Sequence, residues 1–377
     1  MLCGLAAVGC GGASGAGSGD GTRPAVGLQD DRLGLATSNA SSRVLVMSRL
    51  GAKLIRVDMR WDIIAPHRPR HPRNPNDPVY RWRHWDEVVA AARAHGIKVL
   101  FTVWGTPRWA ADTSVKPSAN PAIGPWSRRP LHARDYGDFA AAAARRYAPK
   151  GVHLWEAWNE PNIPLFLRPQ FHRVGSRWVP ESPAIYAGLL NAFYRGVKSA
   201  DPKAVVGGGV TAPAGDPNPQ TCTLQPDCRV KPTSFVLRLA ALHPRMDVYS
   251  HHPYPITPPR TRSFPGASYV DLYNLDVLER TLDKTSLRGK ALWLTEFGFQ
   301  TTRSSQYPLT VTESQQATYL ADALRRVQAN PRVRIFVWYL MQDSPNWGSG
   351  LLRQNGTRKP AASVFKAAAS ASAEARR

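Results

Sequence analysis

Glu160 and Glu296 each close a short apolar run. The first run reads Val152-His153-Leu154-Trp155-Glu156-Ala157-Trp158-Asn159-Glu160-Pro161-Asn162, the second Ala291-Leu292-Trp293-Leu294-Thr295-Glu296-Phe297-Gly298. A carboxyl group at the end of an apolar strand is desolvated, which raises its pKa toward the range of a general acid. Trp155 and Trp158 are expected to wall Glu160 in. Asn159 has an amide that can hydrogen-bond a sugar hydroxyl, and Pro161 ends the strand. Two carboxylates facing each other across a cleft can divide the cleavage of a glycosidic bond: one protonates the leaving oxygen, the other attacks C1. The plainer alternative for each is a helix cap or a surface ion pair, and the matched contexts of the two glutamates count against it.

The glutamates need elements to bring them together, and the chain supplies a regular rhythm. From residue 24 onward, a short β-branched or apolar run, a variable loop and an amphipathic segment recur eight times. The strand candidates are Ala25 to Leu28, Leu54 to Met59, Lys98 to Val103, Val152 to Ala157, Ala204 to Gly209, Met246 to Ser250, Ala291 to Thr295 and Val333 to Leu340. Eight strands alternating with helices predict an α/β fold, a single (β/α)8 TIM barrel spanning residues 24–377. Turns before the strands are brief, as at Ala94-His95-Gly96 and Arg288-Gly289-Lys290. Long Pro, Gly and aromatic segments follow them, such as Gly105 to His132 and Pro161 to Ser182. Elaboration at the C-terminal ends of strands is where barrel enzymes build their sites. The rival doubly wound sheet needs a Gly-rich phosphate turn after its first strand, which residues 25–35 lack; Gly207-Gly208-Gly209 has the wrong spacing.

Trp158-Asn159-Glu160-Pro161 on the fourth strand, together with Thr295-Glu296-Phe297-Gly298 on the seventh, resembles the glycoside hydrolase clan of (β/α)8 barrels that includes families 5 and 39. The resemblance runs from residue 24 to about residue 368. It implies a retaining β-glycoside hydrolase acting on an extracellular polysaccharide or glycan, with Glu160 as general acid/base and Glu296 as nucleophile. It further implies that Asn159 bonds the 2-hydroxyl of the substrate and that Arg56 orients the nucleophile. Tyr249-Ser250-His251-His252-Pro253-Tyr254 resembles the clan's His-x-Tyr segment, which puts His252 and Tyr254 on the cleft. Phe336-Val337-Trp338-Tyr339 resembles its final-strand aromatic, making Trp338 a sugar platform. Trp104-Gly105-Thr106-Pro107-Arg108-Trp109 is most similar to family 39, with Trp104 at the cleft. No counterpart of the extra β-sandwich of several family 39 enzymes is expected within these residues. The alternative function is a catalytically inert carbohydrate-binding barrel, against which both intact glutamates argue.

Neighbouring residues have bland readings as well. Glu156 is expected to be a structural buried charge paired with Arg56, and Arg56 divides between active site and barrel packing. His251 and His252 lack a third metal ligand, so hydrogen-bonded cleft histidines are expected. Trp104, Trp109 and Trp338 divide between platform and core, and Asp58, Asp62 and Asp343 are subsite contacts at most. No metal and no cofactor is implied, because two carboxylates and water complete the chemistry.

Forty-nine Lys and Arg against 27 Asp and Glu give a formal charge of +22. Nucleic acid is not the expected partner: the charge is spread along the chain without a recognition motif, and its densest cluster, His67 to Arg73, is Pro-rich. Steering of an anionic polysaccharide substrate fits such a surface better. Cys222 and Cys228 in TCTLQPDC are expected to form a disulfide in an oxidising compartment. Residues 1–23 read as an export segment and flexible tether. Leu5-Ala6-Ala7-Val8-Gly9-Cys10 resembles a bacterial lipoprotein processing site with a lipid anchor at Cys10, and an ordinary cleaved signal weighs nearly as much. The expectation is a monomer, secreted from a bacterium or held in its envelope, with no segment long and apolar enough to span a membrane.

Overall fold

The expected strand runs fold into strands that close on themselves. In the computed structural model, which describes residues 23–37, 39–259, 268–303 and 308–374, they are β1 (Ala25–Gln29), β2 (Leu54–Arg60), β3 (Lys98–Trp104), β4 (Leu154–Ala157), β5 (Val205–Thr211), β6 (Val248–His251), β7 (Leu292–Phe297) and β8 (Val333–Tyr339). Each pairs in parallel with its sequence neighbours, and β8 returns to β1 through Ala25↔Ile335 and Gln29↔Tyr339, giving a closed (β/α)8 barrel. β4 and β6 each begin two residues later than the sequence predicts, and β5 runs on to Thr211.

Side-chain alternation sorts each strand between two cores. Leu54, Leu100, Val248, Trp293, Ile335 and Val337 point inward and plug the lumen, so the barrel is a packed core rather than a pore. The alternate residues, such as Phe101, Trp155 and Phe336, pack outward under the helices. Local signals start those helices: Asn39 caps Ala40–Arg49, and Thr312 with Gln315 forms a capping box for Glu313–Ala329.

The loops after the strands hold the departures from the sequence reading. The segment following β4 contains an antiparallel hairpin, Phe171–Val174 paired with Arg177–Pro180, turning at Gly175 with φ +59°. Its short strands sit in the stretch from Pro161 to Ser182, read from sequence as a long Pro, Gly and aromatic segment. Cys222 and Cys228 are joined in a disulfide with Cα atoms 6.3 Å apart. The last helix, Ala361–Glu374, packs along β1, and Ser372 Oγ donates to the Pro24 carbonyl. The export and lipid-anchor expectations, including Cys10, fall outside the described residues.

Helices Ala133–Tyr147 and Ser182–Ala200 cross at glycine contacts close enough to exclude a methyl group: a Cβ on Gly196 would lie 2.1 Å from the Gly137 carbonyl oxygen. Gly196→Ala gains about 1 kcal/mol of helix propensity, while forced overpacking of two helix backbones costs ~3 kcal/mol. A net loss of ~2 kcal/mol is therefore expected in thermal or denaturant unfolding; a raised Tm would refute the close contact.

Candidate active site

Arg56 is the hub. Alternation on β2 turns it into the lumen with no exposed side-chain surface, where each group it meets must match its charge or its donors. Its Nε donates to Glu156 Oε2 at 2.9 Å, Nη1 to Gln29 Oε1 and Glu296 Oε1 at 2.6 Å each, and Nη2 to Asn159 Oδ1 at 2.7 Å. Burial favours loss of its proton, but Glu156 and Glu296 more than offset that and keep the guanidinium charged. Glu156, fully buried, also accepts from Thr102 Oγ1 at 2.7 Å. The structure thus pairs Glu156 with Arg56, and it puts Arg56 in the site rather than in packing alone.

Irregular backbone presents the two glutamates. After β4, Trp158 and Glu160 take left-handed conformations at φ +69° and +38°, uncommon for residues with a Cβ and a mark of functional strain. The Trp158 N–H compensates by donating to the Val103 carbonyl at 2.9 Å and to the Tyr136 hydroxyl at 3.0 Å. On β7 the register slips: Leu294 pairs with Phe336 but Phe297 with Trp338, so two β7 residues lie opposite one on β8. This bulge re-aims Glu296 toward Arg56. Trp155 and Trp158 lie on the outer layer against Phe101 and Tyr136, so they brace the strand and do not wall Glu160 as expected.

Glu160 Oε1 lies 2.9 Å from His252 Nδ1, and Glu296 Oε2 accepts from the Tyr254 hydroxyl at 2.9 Å. His252 Nδ1 is also 3.6 Å from Glu296 Oε2, and Glu160, His252 and Glu296 each offer a polar atom within 4.8 Å of the others. Burial raises the Glu160 carboxyl well above its ordinary range, and the charge of Glu296 raises it further. Burial pushes Glu296 up to about 7, opposed by Arg56 and by the Tyr254 hydrogen bond. Both carboxyls are thus pushed toward the protonated form, Glu160 more strongly, while two donors, Arg56 and Tyr254, oppose the shift of Glu296. Burial, with Arg56 and His251 adding to it, keeps His252 neutral. His251 points elsewhere, bonded to Thr211 and to the Val270 carbonyl.

Of the other sequence candidates, Asn159, His252 and Tyr254 meet at the glutamates. Trp104 reaches the mouth from β3, with the Arg60 guanidinium 4.3 Å from its ring centroid. Trp338 does not reach it. It is in phase with Phe336, fully buried on the outer layer beside Phe297, with its indole N–H on the Ser349 carbonyl. The inward aromatic of β8 is Tyr339, in phase with Ile335 and Val337. It lies 5.3 Å from Trp347, which also packs 5.7 Å from Tyr254. Trp347, half-buried on the loop after β8, and Asp31, which accepts from the Tyr339 hydroxyl, were missed from sequence. Trp109 is scaffold, bonded to the Ala65 carbonyl; Asp62 is spent on Arg60, and Asp343 on buried Lys359. Among the described residues, the other group with metal-ligand spacing is Asp216 with Cys222 and Cys228, whose sulfurs are bonded to each other.

The sequence model of the Cellulase family (glycosyl hydrolase family 5) matches residues 35–344. The chain belongs to glycosyl hydrolase family 5. The family is one of glycosyl hydrolases. No curated protein matches this family 5 chain. Similar solved structures include a family 39 glycoside hydrolase from Bacteroides cellulosilyticus WH2, at 23% identity and TM-score 0.62, over 93% of this chain and 64% of that one. A monomeric β-xylosidase from Caulobacter crescentus matches at 19% identity and TM-score 0.60, over 92% and 67%. A glucosidase from Croceicoccus marinus matches at 17% and 0.66, over 93% and 68%. At these identities the likeness is one of fold, and the chain spans roughly two thirds of the length of these enzymes.

Tyr254→Phe removes a donor that lowers the Glu296 pKa, so that pKa should rise. The acid limb of kcat/KM on a hydrolysable aryl glycoside is expected to move ~0.5 to 1 pH unit upward, the alkaline limb staying in place. A pH profile of the variant that overlays the wild type would mean Tyr254 does not act on Glu296.

Proposed function

We propose that this family 5 chain is a retaining β-glycosidase acting on an extracellular polysaccharide or glycan. The observation that carries the reading is the spacing of Glu160 and Glu296, whose nearest oxygens lie within 4.8 Å. That matches the ~5 to 5.5 Å separation of carboxyl groups in retaining enzymes and leaves no room for the water that inverting enzymes place between them.

In this mechanism Glu296 attacks C1 as Glu160 protonates the glycosidic oxygen. The C1–O bond breaks, the aglycone leaves as an alcohol, and a glycosyl ester forms on Glu296. Water then attacks C1, giving its proton to Glu160 and releasing the Glu296 carboxylate, so the two residues end as they began. Arg56 and Tyr254 hold Glu296 in position and ionised. Asn159, anchored by Arg56, stands beside the glutamates where it can bond the 2-hydroxyl. His252 supports the proton on Glu160 from Nδ1. One chain supplies all of these groups, which supports a monomer. The Cys222–Cys228 disulfide supports the part of the proposal that puts the enzyme outside the cytoplasm, secreted or held in the envelope.

Aryl β-xylosides, β-glucosides and β-mannosides are the first substrates to try. Glu296→Gln is expected to lose ~10⁴-fold or more in kcat, and Glu160→Ala to keep most of its activity only on aglycones that need no protonation. A 2-fluoro glycoside should leave an ester on the peptide bearing Thr295-Glu296-Phe297, seen by mass spectrometry, and NMR should show a product of retained anomeric configuration. Inversion, or an adduct on Glu160, would overturn the assignment.

A further inference from the structure

The loop after β8 brings Trp347 against the residue that supports Glu296. The indole lies edge-on at 5.7 Å from the Tyr254 ring and 5.3 Å from Tyr339, and Tyr254 meets Tyr339 edge-on at 6.2 Å. The Tyr254 ring is thus flanked by two others while its hydroxyl reaches Glu296. The turn bearing Trp347 is tight, with Ser344 and Trp347 exchanging backbone hydrogen bonds at 2.9 and 3.2 Å. An ammonium sets that turn against the barrel. Lys359, just before the last helix, donates from Nζ to Asp343 Oδ1 at 2.8 Å, to the Gly348 carbonyl at 3.0 Å and to Thr301 Oγ1 at 2.7 Å. It grips both stems of the turn, and Thr301 joins them to the loop after β7, the strand that bears Glu296. The Gly350 N–H donates to Asp343 Oδ1 and the Gly348 N–H to Gln300 Oε1, both at 2.7 Å, which completes the clasp.

Stability does not account for the pair. The side chains of Lys359 and Asp343 are 1% and 7% exposed. Burying two such charges costs about as much as their attraction returns, and a neutral pair of similar shape is commonly as stable. Burial lowers the Lys359 pKa and raises that of Asp343, in each case against the pull of the partner. Arg353 and Glu313, the other charges acting on Lys359, are paired with each other. What the ammonium supplies and an apolar side chain cannot is direction: it fixes acceptors from both stems of the turn and from the loop after β7 about one point.

We propose that Lys359 is a positioning residue: through Asp343 and Gly348 it sets Trp347 against Tyr254 and so keeps the Tyr254 hydroxyl on Glu296. Lys359, only 2% exposed, acts through these residues rather than on the sugar. The consequence for turnover rests on the glycosidase reading above; the effect on Glu296 does not. Without the ammonium the Trp347 turn no longer fixes the Tyr254 ring, the hydroxyl spends less time on Glu296 Oε2, and the Glu296 pKa rises. The groups that face Glu296 are Arg56, Asp58, Glu160, His252 and Tyr254, with Asp31 after β1 and Tyr339 on β8. Neutralising Lys359 and Asp343 together leaves all of these in place and the net charge unchanged, so a shift of Glu296 reports the packing link.

The test combines Lys359→Met with Asp343→Asn, which leaves no buried ion unpaired and keeps an acceptor for the Gly350 N–H. The Glu296 carboxyl is titrated by carbon NMR in protein carrying labelled glutamate, with Glu296→Gln to assign its signal, so the readout needs no turnover. The double variant is expected to unfold at the wild-type Tm, to show the Glu296 pKa raised by ~0.5 pH unit, and to lose ~10-fold in kcat/KM on aryl glycosides. In a Tyr254→Phe background the same two replacements should move that pKa no further, because the link they weaken is already cut. An unshifted Glu296, a shift that adds in full to that of Tyr254→Phe, or a double variant that does not reach the native fold would overturn the inference. The expected titrations without hydrolysis of any aryl glycoside would instead sink the glycosidase reading and leave this one standing.

Discussion

A guanidinium with no exposed surface sits in the lumen of this barrel, and the architecture around it follows from the need to keep it charged. The effective penalty for burying such an ion is several kcal/mol, repaid only when every donor is matched. Arg56 meets that demand with two carboxylates and two amide oxygens drawn from β1, β4, the end of β4 and β7. One of those carboxylates, Glu156, is wholly internal and also fixed by Thr102. The other, Glu296, reaches the solvent side with 12% of its side chain exposed. The same cation that closes the electrostatic balance of the core therefore orients the group proposed to attack C1. Packing and chemistry are not separable at this position.

Such a hub constrains side chains but not the backbone, and the backbone is where the glutamates gain their reach. A regular β4 could not present Asn159 and Glu160 together to the mouth; the left-handed turns at Trp158 and Glu160 do so by breaking the ladder. Helix tyrosines repair the break from behind. Tyr136 accepts from the Trp158 N–H and donates to the Val103 carbonyl, and Tyr186 accepts from the Gly209 N–H and donates to the Ala157 carbonyl. Each hydroxyl passes through the outer hydrophobic layer to serve two strand ends, so local strain is supported by groups that never touch the cleft.

Much of this is legible in sequence because it obeys a period. The strand count, the asymmetry of the loops, the paired glutamates and the Glu156–Arg56 pair all follow from apolar runs ending in acids at regular spacing. What escaped depends on phase and on long-range approach. Trp338 and Tyr339 are adjacent aromatics, and composition does not say which one faces inward; the in-phase residues Ile335 and Val337 decide for Tyr339. The β7 bulge leaves no mark in Leu294-Thr295-Glu296-Phe297. Trp347 and Asp31 lie on loops whose approach to Tyr254 and Tyr339 is set by tertiary packing.

The parallel sheet also has a polarity. β1 starts, and the last helix ends, at the face opposite the glutamates, where Ser372 is tied to Pro24. Both ends of the described chain thus leave from the rear of the barrel. Whatever is joined there, whether a fusion partner, a solid support or a neighbouring module, would hold the enzyme with its mouth facing outward, and immobilisation through either terminus should leave a bulky glycan free to enter.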